Sequence, residues 1–287
     1  MKYAFIREHL AQSFPVQFCC EVLGVCTSGY YDAKARPVSP RQLRRQNLAQ
    51  QVHHVHQENH SIYGSPRITH ALRRRGVSVC RNTVARIMQE TGLRSRRCRR
   101  FRPRTTDSSR TLMPAPNLLR ELTPPTGPDQ IWVADITYIP IQGGYVYLAG
   151  IMDLYSRKIV GWHLGNSLET SLTERALRTA VATRRPAAGL VHHSDRGIQY
   201  DSLRYRHLLK EHGLIQSMSR KGDCYDNAAM ESFWATLKTE LVGDFVYRDI
   251  DHALNHIFRF IEGFYPNQRL HSSLNYATPA EVERVII

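Results

Sequence analysis

The sequence predicts an α/β core that follows a basic, α-helical N-terminal region. Two observations support the core: three strand-like segments follow one another between residues 131 and 164, and strand-like and helix-like segments alternate after them. A third observation is the distribution of charge. Residues 1–127 hold 22 Lys and Arg against 7 Asp and Glu, whereas residues 128–287 hold 17 against 18. The whole positive excess lies in the N-terminal part, which indicates a region that binds a polyanion such as nucleic acid.

The length and composition are those of an ordinary globular protein. A chain of 287 residues with 42% hydrophobic residues suffices for one large domain or two modest ones. No segment approaches the ~20 uninterrupted apolar residues of a membrane span, and the charged start MKYAFIREHLAQSF lacks the apolar centre of a signal peptide. We therefore expect a cytoplasmic protein with no membrane contact. The six cysteines form no C-x-x-C pair, which favours reduced thiols and disfavours a zinc site with the histidines of residues 53–60.

Helices account for the N-terminal region. Residues 1–40 are assigned to an N-terminal helical segment, and apolar residues recur at helical spacing from about residue 41 to residue 60. The next stretch, YGSPRITHALRRRG, predicts a helix with Ser65 as its N-cap, Pro66 at its first position and Gly76 as its stop. After the short connection GVSVC, the stretch RNTVARIMQETG predicts a second helix that ends at Gly92.

These two short helices, joined by a brief turn, indicate a helix-turn-helix. Val84, Ile87 and Met88 would lie on the buried face of the second helix. The residues that this helix would present to DNA are Arg81, Asn82 and Arg86. A plain helical hairpin without DNA contact is the alternative, and the positive charge of the region favours DNA binding.

An arginine-rich segment, RSRRCRRFRPR, follows at residues 94–104. Guanidinium groups fit phosphate oxygens and stay charged, so we expect this segment to bind the DNA backbone in a salt-dependent way. A solvated run of charge is the alternative. Its arginines are Arg94, Arg96, Arg97, Arg99, Arg100, Arg102 and Arg104. We assign residues 41–104 to a DNA-binding region and the Pro-, Thr- and Ser-rich residues 105–127 to a linker.

Residues 128–287 contain the predicted α/β core. IWVADITYIPI, YVYLAGIMDL and RKIVGWHL are rich in Val, Ile, Tyr and Trp with short connections, which predicts an antiparallel meander. A helix over about 169–184, the strand GLVHHS, a helix over about 200–212 and the strand LIQSMS follow. NAAMESFWATLKTEL then predicts a covering helix with Asn227 as its N-cap. This order of elements is typical of a ribonuclease H-like sheet.

Three acidic residues occupy positions from which they can converge. Asp135 lies inside the first strand, Asp195 lies just after the fourth, and Glu231 lies in the first turns of the covering helix. Burying a carboxylate in an apolar strand is costly, so Asp135 must face a cleft, a cation or a partner. Phosphodiester cleavage by two metal ions needs such carboxylates to hold Mg²⁺ ions ~3.5–4 Å apart. Each acid alone is more often structural, but their convergence indicates a catalytic site.

Other residues offer weaker alternatives. Asp153, at the end of the second strand, is nearly as plausible by position as the acid in the first strand, and it could instead pair with Arg157. Asp223 and Asp226 are more typical of turn or capping residues. His193 could contact substrate or metal, and a packing role is an equal alternative.

Four motifs resemble the catalytic core of bacterial insertion-sequence transposases of the integrase-like DDE class. They are WVADITYI, YVYLAGIMDLYSRKIVGW, HHSDRGIQY and DNAAMESFWATLKTEL. They are most similar to the second open reading frame product of the insertion-sequence-three family. In that family 35 residues separate the second catalytic aspartate from the glutamate, and 35 residues also separate Asp195 from Glu231 here. The resemblance extends roughly over residues 50–282. It departs in the tail, where Pro266 follows Tyr265 and the expected asparagine falls at Asn267.

The resemblance implies a retroviral integrase-like catalytic core. In such a core Asp135, Asp195 and Glu231 would be the catalytic residues and would hold two Mg²⁺ or Mn²⁺ ions. Lys238, two helical turns after Glu231, would contact the DNA end, with a solvated lysine as an equal alternative. The expected function is transposition, in which the enzyme cleaves the ends of an insertion sequence and transfers the strands to target DNA.

The partners implied by the resemblance are double-stranded DNA, as terminal inverted repeats and as target, and further copies of the chain on paired ends. Full-length transposases of the family also carry a helix-turn-helix and a coiled coil from an upstream reading frame. We expect both to be absent from this chain, which makes the upstream product a further candidate partner. A ribonuclease H-fold nuclease that cuts without joining and a non-catalytic DNA-binding regulator are the alternatives, and the intact acid triad argues against the regulator.

Overall fold

The computed structural model describes residues 2–96, 115–220 and 227–285. The sheet has five strands: β1 Ile131–Ile141, β2 Gly144–Asp153, β3 Ile159–Gly165, β4 Val191–Ser194 and β5 Ile215–Met218. The N-terminal helices are α1 Lys2–Phe5, α2 Val16–Val22, α3 Thr27–Ala35, α4 Pro40–Glu58, α5 Ser65–Arg74 and α6 Arg81–Glu90. The later helices are α7 Thr170–Arg184, α8 Ile198–Asp201, α9 Leu203–Glu211, α10 Ala228–Leu237, α11 Ile250–Phe258, α12 Tyr265–Asn267 and α13 Pro279–Arg284. Short π-helical turns span Ile6–Leu10, Lys238–Val242 and Arg259–Phe264, and a 3₁₀ turn spans Ser272–Leu274.

The sheet has the strand order β3-β2-β1-β4-β5. β1 pairs antiparallel with β2, and β2 with β3, which confirms the predicted meander. β4 pairs parallel with β1, and β5 with β4. A parallel pair needs a long crossover, and α8 and α9 supply it between β4 and β5, whereas the antiparallel β1–β2 pair closes through a tight turn. That turn uses Gly143, whose φ of +85° suits glycine and few other residues.

Helices cover both faces of the sheet. Successive side chains of a strand point to opposite faces, and in β1 this places Val133 and Ile139 on the side of α10 and α11. Trp132 and Ala134 point to the other side, where they pack with α7, α8 and α9. The core therefore has three layers, and odd-numbered residues of β1 face α10.

Helix α7 lies very close to the sheet at Gly161 of β3. A Cβ atom at this position would overlap the carbonyl oxygen of Ala176 and would lie 2.6 Å from the Cβ atom of Ala180. Both atoms are fixed to the backbone of α7 and cannot rotate away. The absence of a side chain at Gly161 therefore sets the distance between helix and sheet.

The N-terminal region has hydrophobic clusters of its own. Helices α4, α5 and α6 enclose one cluster, in which Val84, Ile87 and Met88 are buried as their spacing predicts. Residues 2–35 enclose a second, smaller cluster around Ile6 and Tyr30. In the described part of the chain, no helix has the length and apolarity needed to span a bilayer.

The ends of α5 and α6 largely follow the predicted signals. Both helices are followed by a glycine in the left-handed region, Gly76 with φ +78° and Gly92 with φ +70°. The predicted N-cap was wrong by one residue: α5 begins at Ser65, and Gly64 occupies the cap without a side-chain hydrogen bond. Helix starts are uncertain by about one residue from sequence, because the first turn has several possible registers.

The N-terminal region contacts the C-terminal tail of the core directly. The Tyr63 hydroxyl donates to the Gln268 carbonyl at 3.0 Å and accepts a hydrogen bond from the Leu270 amide at 2.9 Å. Arg67 Nε donates to the Leu270 carbonyl at 3.0 Å. The side chain of Leu270 is itself part of the cluster of α4–α6. The helix-turn-helix region therefore packs onto the core through both polar and apolar contacts.

The described part of the predicted linker also contacts the core. The Met218 amide of β5 donates to the Pro116 carbonyl at 3.2 Å, and the Leu118 amide donates to Ser217 Oγ at 2.9 Å. Residues 115–118 therefore run along the outer strand of the sheet and satisfy some of its edge hydrogen-bonding groups.

Replacing Gly161 by alanine is expected to lower the free energy of unfolding by about 1–3 kcal/mol, because overpacking forces α7 away from the sheet. Urea unfolding followed by circular dichroism would measure the change. Gly144→Ala is the matched control, since a Cβ atom at that strand position meets open space and should change stability by less than about 0.5 kcal/mol. Equal stability of the two variants would contradict this account of the close approach.

Candidate active site

The sheet brings Asp135 and Asp195 to the same level of two adjacent parallel strands. In the register of β1 with β4, Ala134 lies opposite Ser194, and each aspartate is the next residue along its strand direction. Asp135 continues within the long β1, whereas β4 ends at Ser194 and leaves Asp195 at its carboxyl end. Both carboxylates are partly buried. Parallel pairing therefore sets the two acids side by side, 60 residues apart in sequence.

Helix α10 adds the third acid. Glu231 lies in its first turn, is exposed, and is close enough to Asp135 to affect the pKa of that carboxyl. The helix packs over β2 at Gly150, which pairs with Asp135 across β1 and β2. A Cβ atom at Gly150 would lie 2.8 Å from the Trp234 ring. Glycine at this position therefore allows α10 to pack closely on β2, beside the strand that carries Asp135.

Burial raises the pKa of both aspartates, and like charge adds to the shift of Asp135. Burial, followed by repulsion from Asp195 and to a lesser extent from Glu231, raises the pKa of Asp135 to about 7. Burial also raises the pKa of Asp195. Across residues 2–96, 115–220 and 227–285, none of the three acids forms an ion pair with a basic side chain. Carboxylate oxygens are hard donors of the kind that Mg²⁺ prefers, so the adjacent Asp135 and Asp195 are chemically suited to a divalent cation.

Each aspartate accepts a hydrogen bond from an uncharged N–H group. The Trp234 indole Nε1 donates to Asp135 Oδ2 at 3.0 Å. The Gly197 amide donates to Asp195 Oδ1 at 2.9 Å. These bonds orient the carboxylates without neutralising them, since an ionised carboxylate offers about four acceptor positions. The arrangement keeps the negative charge available to a cation.

Asn227 and Lys238, both named from the sequence, lie at the two ends of α10. Asn227 occupies the N-cap position, but its side chain makes no cap hydrogen bond; Nδ2 instead donates to the Ala134 carbonyl at 3.2 Å, next to Asp135. Asn227 therefore connects α10 to β1, a role that its sequence position did not suggest. Lys238 follows the last residue of α10 and is half-buried.

The alternative acid, Asp153, has a structural role. Its carboxylate is fully buried and accepts hydrogen bonds from the amides of Asp129 and Ser156, at 2.7 Å each, and from the Ser156 hydroxyl at 2.9 Å. The suggested ion pair with Arg157 is absent among the described contacts, and the donors to Asp153 are instead the neighbouring amides and a hydroxyl. Asp153 pairs with Trp132 in the sheet, three residues before Asp135, and does not join the acid cluster.

The histidines of β4 are also structural. His193 is buried between two hydroxyl groups, with Nδ1 2.9 Å from Ser217 Oγ and Nε2 3.0 Å from Ser219 Oγ. His192 Nε2 lies 3.0 Å from the Tyr205 hydroxyl on the opposite face. Packing is therefore the better of the two interpretations that the sequence left open for His193.

The residues predicted to contact DNA lie partly within the described chain. Arg81, Asn82 and Arg86 are exposed on α6, and Arg94 is exposed beyond it. Arg96 is exposed as well and donates to the Glu240 carbonyl at 3.2 Å. Asp223 and Asp226 lie outside the described residues. So do the remaining arginines of the segment, which are Arg97, Arg99, Arg100, Arg102 and Arg104.

Sequence reasoning missed the contacts that hold α10 in place. The Trp234 bond to Asp135 could have been suspected from its spacing, three residues after Glu231 on the same helix. Glu240 had no such signal. It is buried and accepts two hydrogen bonds from Arg269, both 2.7 Å long, and it lies 3.4 Å from Arg67 of α5. Distant segments meet at Glu240, and only the fold brings them together.

Comparisons with known families cover both parts of the chain. Models described as "Integrase core domain" match residues 125–224 and residues 212–279. A model described as "HTH-like domain" matches residues 42–102. The catalytic core and the helix-turn-helix region are therefore each similar to a known type of domain.

Relatives match nearly the whole chain. The "Insertion element IS600 uncharacterized 31 kDa protein" of Shigella sonnei is 44% identical over 261 residues, which cover 91% of this chain and 96% of the relative. The "Transposase InsF for insertion sequence IS3A" of Escherichia coli is 37% identical over 287 residues, covering 99% and 98%. The "Transposase for insertion sequence element IS904" of Lactococcus lactis is 36% identical over 249 residues, covering 87% and 98%.

Solved structures with a similar arrangement come from retroviruses. The intasome of simian T-cell lymphotropic virus, in complex with PP2A regulatory subunit B56 gamma, aligns with TM-score 0.48 and 15% identity over 80% of this chain and 73% of that chain. The HTLV-2 integrase catalytic core domain in complex with magnesium aligns with TM-score 0.44 and 14% identity over 55% and 98%.

The strand order and the family models establish a ribonuclease H-like α/β core that follows a helix-turn-helix-like region, as the sequence predicts. The relatives are named for insertion sequences, and two of them are named as transposases. The chain belongs to the IS3 family of insertion-sequence transposases, which have an integrase-type core of the DDE class.

Proposed function

We propose that Asp135, Asp195 and Glu231 form the catalytic centre of this transposase. The observation that carries the proposal is the placement of the acids: two carboxylates follow paired residues of parallel strands β1 and β4, and the third lies in the first turn of the helix packed beside them. The reaction is cleavage of a phosphodiester at the element's end, followed by attack of the freed 3′-hydroxyl on target DNA. In the first step water attacks the phosphorus and the 3′-oxygen leaves as a hydroxyl; in the second step that hydroxyl forms a new phosphodiester bond as a bond of the target strand breaks, so no oxidant or reductant is needed.

The three carboxylates would hold two divalent ions, Mg²⁺ or Mn²⁺. Such ions supply positive charge that activates the attacking oxygen and stabilises the leaving oxygen. The chain itself fixes the positions of the ligand oxygens through the β1–β4 register and the packing of α10. Burial of Asp135 and Asp195 keeps part of the bulk water away from their carboxylates, which strengthens their electrostatic interaction with a cation.

The N-terminal region would bind the DNA. Helix α6 presents Arg81, Asn82 and Arg86 on its exposed face, and the arginine-rich segment after it would neutralise phosphates. Lys238, beyond the end of α10, would contact the DNA end near the acids. We further propose that the protein acts in the cytoplasm as a homo-oligomer on paired terminal repeats, alone or with the product of an upstream reading frame.

Removing any one acid is expected to abolish cleavage and strand transfer. Asp135→Asn, Asp195→Asn and Glu231→Gln should each lower the rate by at least about 10³-fold, because each loses a charged ligand while keeping its shape. A labelled duplex with the terminal repeat, incubated with Mg²⁺, measures both steps. Glu211→Gln, an exposed change on α9 across the sheet, should retain wild-type rates. Cleavage without joining by the wild type would favour the nuclease, and full activity of an acid variant would contradict the assignment.

The raised pKa of Asp135 predicts a pH-dependent stability in the absence of metal. Since the folded protein holds this proton up to about pH 7, whereas the unfolded chain releases it near its ordinary value, the free energy of unfolding falls as the pH rises through that interval. Asp135→Asn removes this loss. Between about pH 5 and about pH 8, the variant should gain about 1–2 kcal/mol relative to wild type, less than the full shift because the group still reaches solvent.

Urea unfolding at both pH values, in a chelator, would test this expectation, with the exposed Asp251→Asn as control. Adding Mg²⁺ at the higher pH should stabilise the wild type and leave Asp135→Asn nearly unchanged, because a ligand stabilises only the folded state that binds it. Parallel pH curves for wild type and Asp135→Asn would contradict the assignment of Asp135 as a buried, repelled acid.

DNA binding by α6 predicts a change in salt dependence. The double variant Arg81→Ala/Arg86→Ala should bind terminal-repeat DNA more weakly, and the slope of log affinity against log salt should fall by about 1 for each phosphate that an arginine no longer neutralises. Fluorescence anisotropy over a range of salt would measure it. Arg178→Ala, an exposed change on α7 of the core, is the control. Unchanged affinity of the double variant would leave the plain helical hairpin as the correct interpretation.

A further inference from the structure

Trp234 connects β1 and α10, two of the three structural elements that carry the proposed catalytic acids. It lies on α10 three residues after Glu231, and its indole Nε1 donates to Asp135 Oδ2 of β1 at 3.0 Å. The side chain is 6% exposed. One aromatic residue thus contacts one acid directly and shares a helix with another.

The position of the Trp234 ring is fixed on several sides. Gly150 of β2 faces it without a side chain, and a Cβ atom there would lie 2.8 Å from the ring carbon Cη2. The ring centroid lies 4.9 Å from that of Phe233, and both rings belong to the cluster between sheet and helix. The ring has little space in which to turn, so the indole N–H is held toward Asp135.

The chemistry of the indole suits a carboxylate that must also bind a cation. An indole N–H is a donor only and carries no charge. It occupies one acceptor position on Oδ2 and leaves the negative charge of Asp135 and its other acceptor positions available. A lysine or arginine in its place would form an ion pair and compete with the cation. The Gly197 amide makes the equivalent uncharged contact with Asp195.

We propose that Trp234 is a positioning residue for metal binding: its indole N–H orients the Asp135 carboxylate toward the divalent cation, and Gly150 provides the space for it to do so. This inference rests on the proposed function of Asp135 as a metal ligand. Hydrogen bonds of this kind to a metal ligand typically change metal affinity by about 10–100-fold.

The three tryptophans of the chain provide an internal control. Each donates its indole N–H to a carboxylate: Trp234 to Asp135, Trp132 to Asp129 at 2.9 Å, and Trp162 to Glu262 at 2.7 Å. Only the first of these carboxylates belongs to the acid cluster. The three indole N–H groups therefore make the same type of hydrogen bond, and they differ in whether the accepting carboxylate is a proposed metal ligand. All three signals can be measured in one protein sample.

The first experiment is a titration of ¹⁵N-labelled wild-type protein with Mg²⁺, with indole N–H signals assigned from contacts to neighbouring side chains. We expect the Trp234 signal to move with saturation while those of Trp132 and Trp162 stay in place. Asp135→Asn should abolish the movement. If Mg²⁺ binds and the Trp234 signal does not move, the positioning role is wrong. This measurement needs no change at Trp234, so it holds even where a variant at that position fails to fold.

The second experiment compares Trp234→Phe, which keeps an aromatic ring and removes the donor to Asp135, with Trp162→Phe on β3, which removes the same type of donor from Glu262. Trp234→Phe should raise the Mg²⁺ concentration for half-maximal cleavage by about 10–100-fold, with most of the maximal rate recovered at saturating Mg²⁺. Trp162→Phe should keep the wild-type requirement. An unchanged requirement in Trp234→Phe contradicts the positioning role alone, whereas a wild type that neither binds Mg²⁺ nor cleaves contradicts the proposed function.

Discussion

The burial of Asp135 beside Asp195, with Glu231 nearby, is the constraint on which the rest of the core depends. Attraction between charges cannot assemble this cluster, as the raised pKa of Asp135 indicates. Other forces must hold the acids together. Backbone hydrogen bonds fix the β1–β4 register, and apolar burial holds α10 on the sheet through residues such as Phe233 and Leu237, each of which is expected to contribute about 1.5–3 kcal/mol. The fold stabilises a site that is unfavourable by itself, which is a common property of catalytic centres.

Close approach of helices to the sheet makes this possible, and two glycines permit it on opposite faces. Gly150 admits the Trp234 ring, and with it α10, next to the strand partner of Asp135. Gly161 lets α7 lie directly on β3. A helix held further from β2 would carry Glu231 away from the aspartates. The positions of the acids therefore depend on residues that have no side chain to contribute to chemistry.

The same helix also connects the core with the helix-turn-helix region. Directly after α10, Glu240 is buried and contacts Arg269 of the tail and Arg67 of α5, while its carbonyl accepts a hydrogen bond from Arg96. A buried acid with two guanidinium partners satisfies its hydrogen bonds locally, and removing one partner from such a group is costly. The proposed DNA-binding helices are thus attached to the element that carries Glu231, rather than joined to the core only through residues 105–127.

The sequence by itself determined the order and type of the elements, the antiparallel meander, the boundary in charge near residue 127 and the three acids, because periodicity, turn residues and motif spacing are local properties. It could not rank Asp153 below Asp135 from position alone, decide the role of His193, or find Trp234, Gly150 and Glu240. Those outcomes depend on which atoms meet when the chain folds. Asp153 is structural since its buried carboxylate binds the amides of two neighbouring turns, and Trp234 matters since a strand 84 residues earlier leaves space for its ring. Only the packed tertiary structure decides such contacts, because hydrogen-bond partners and free volume are properties of the assembled fold.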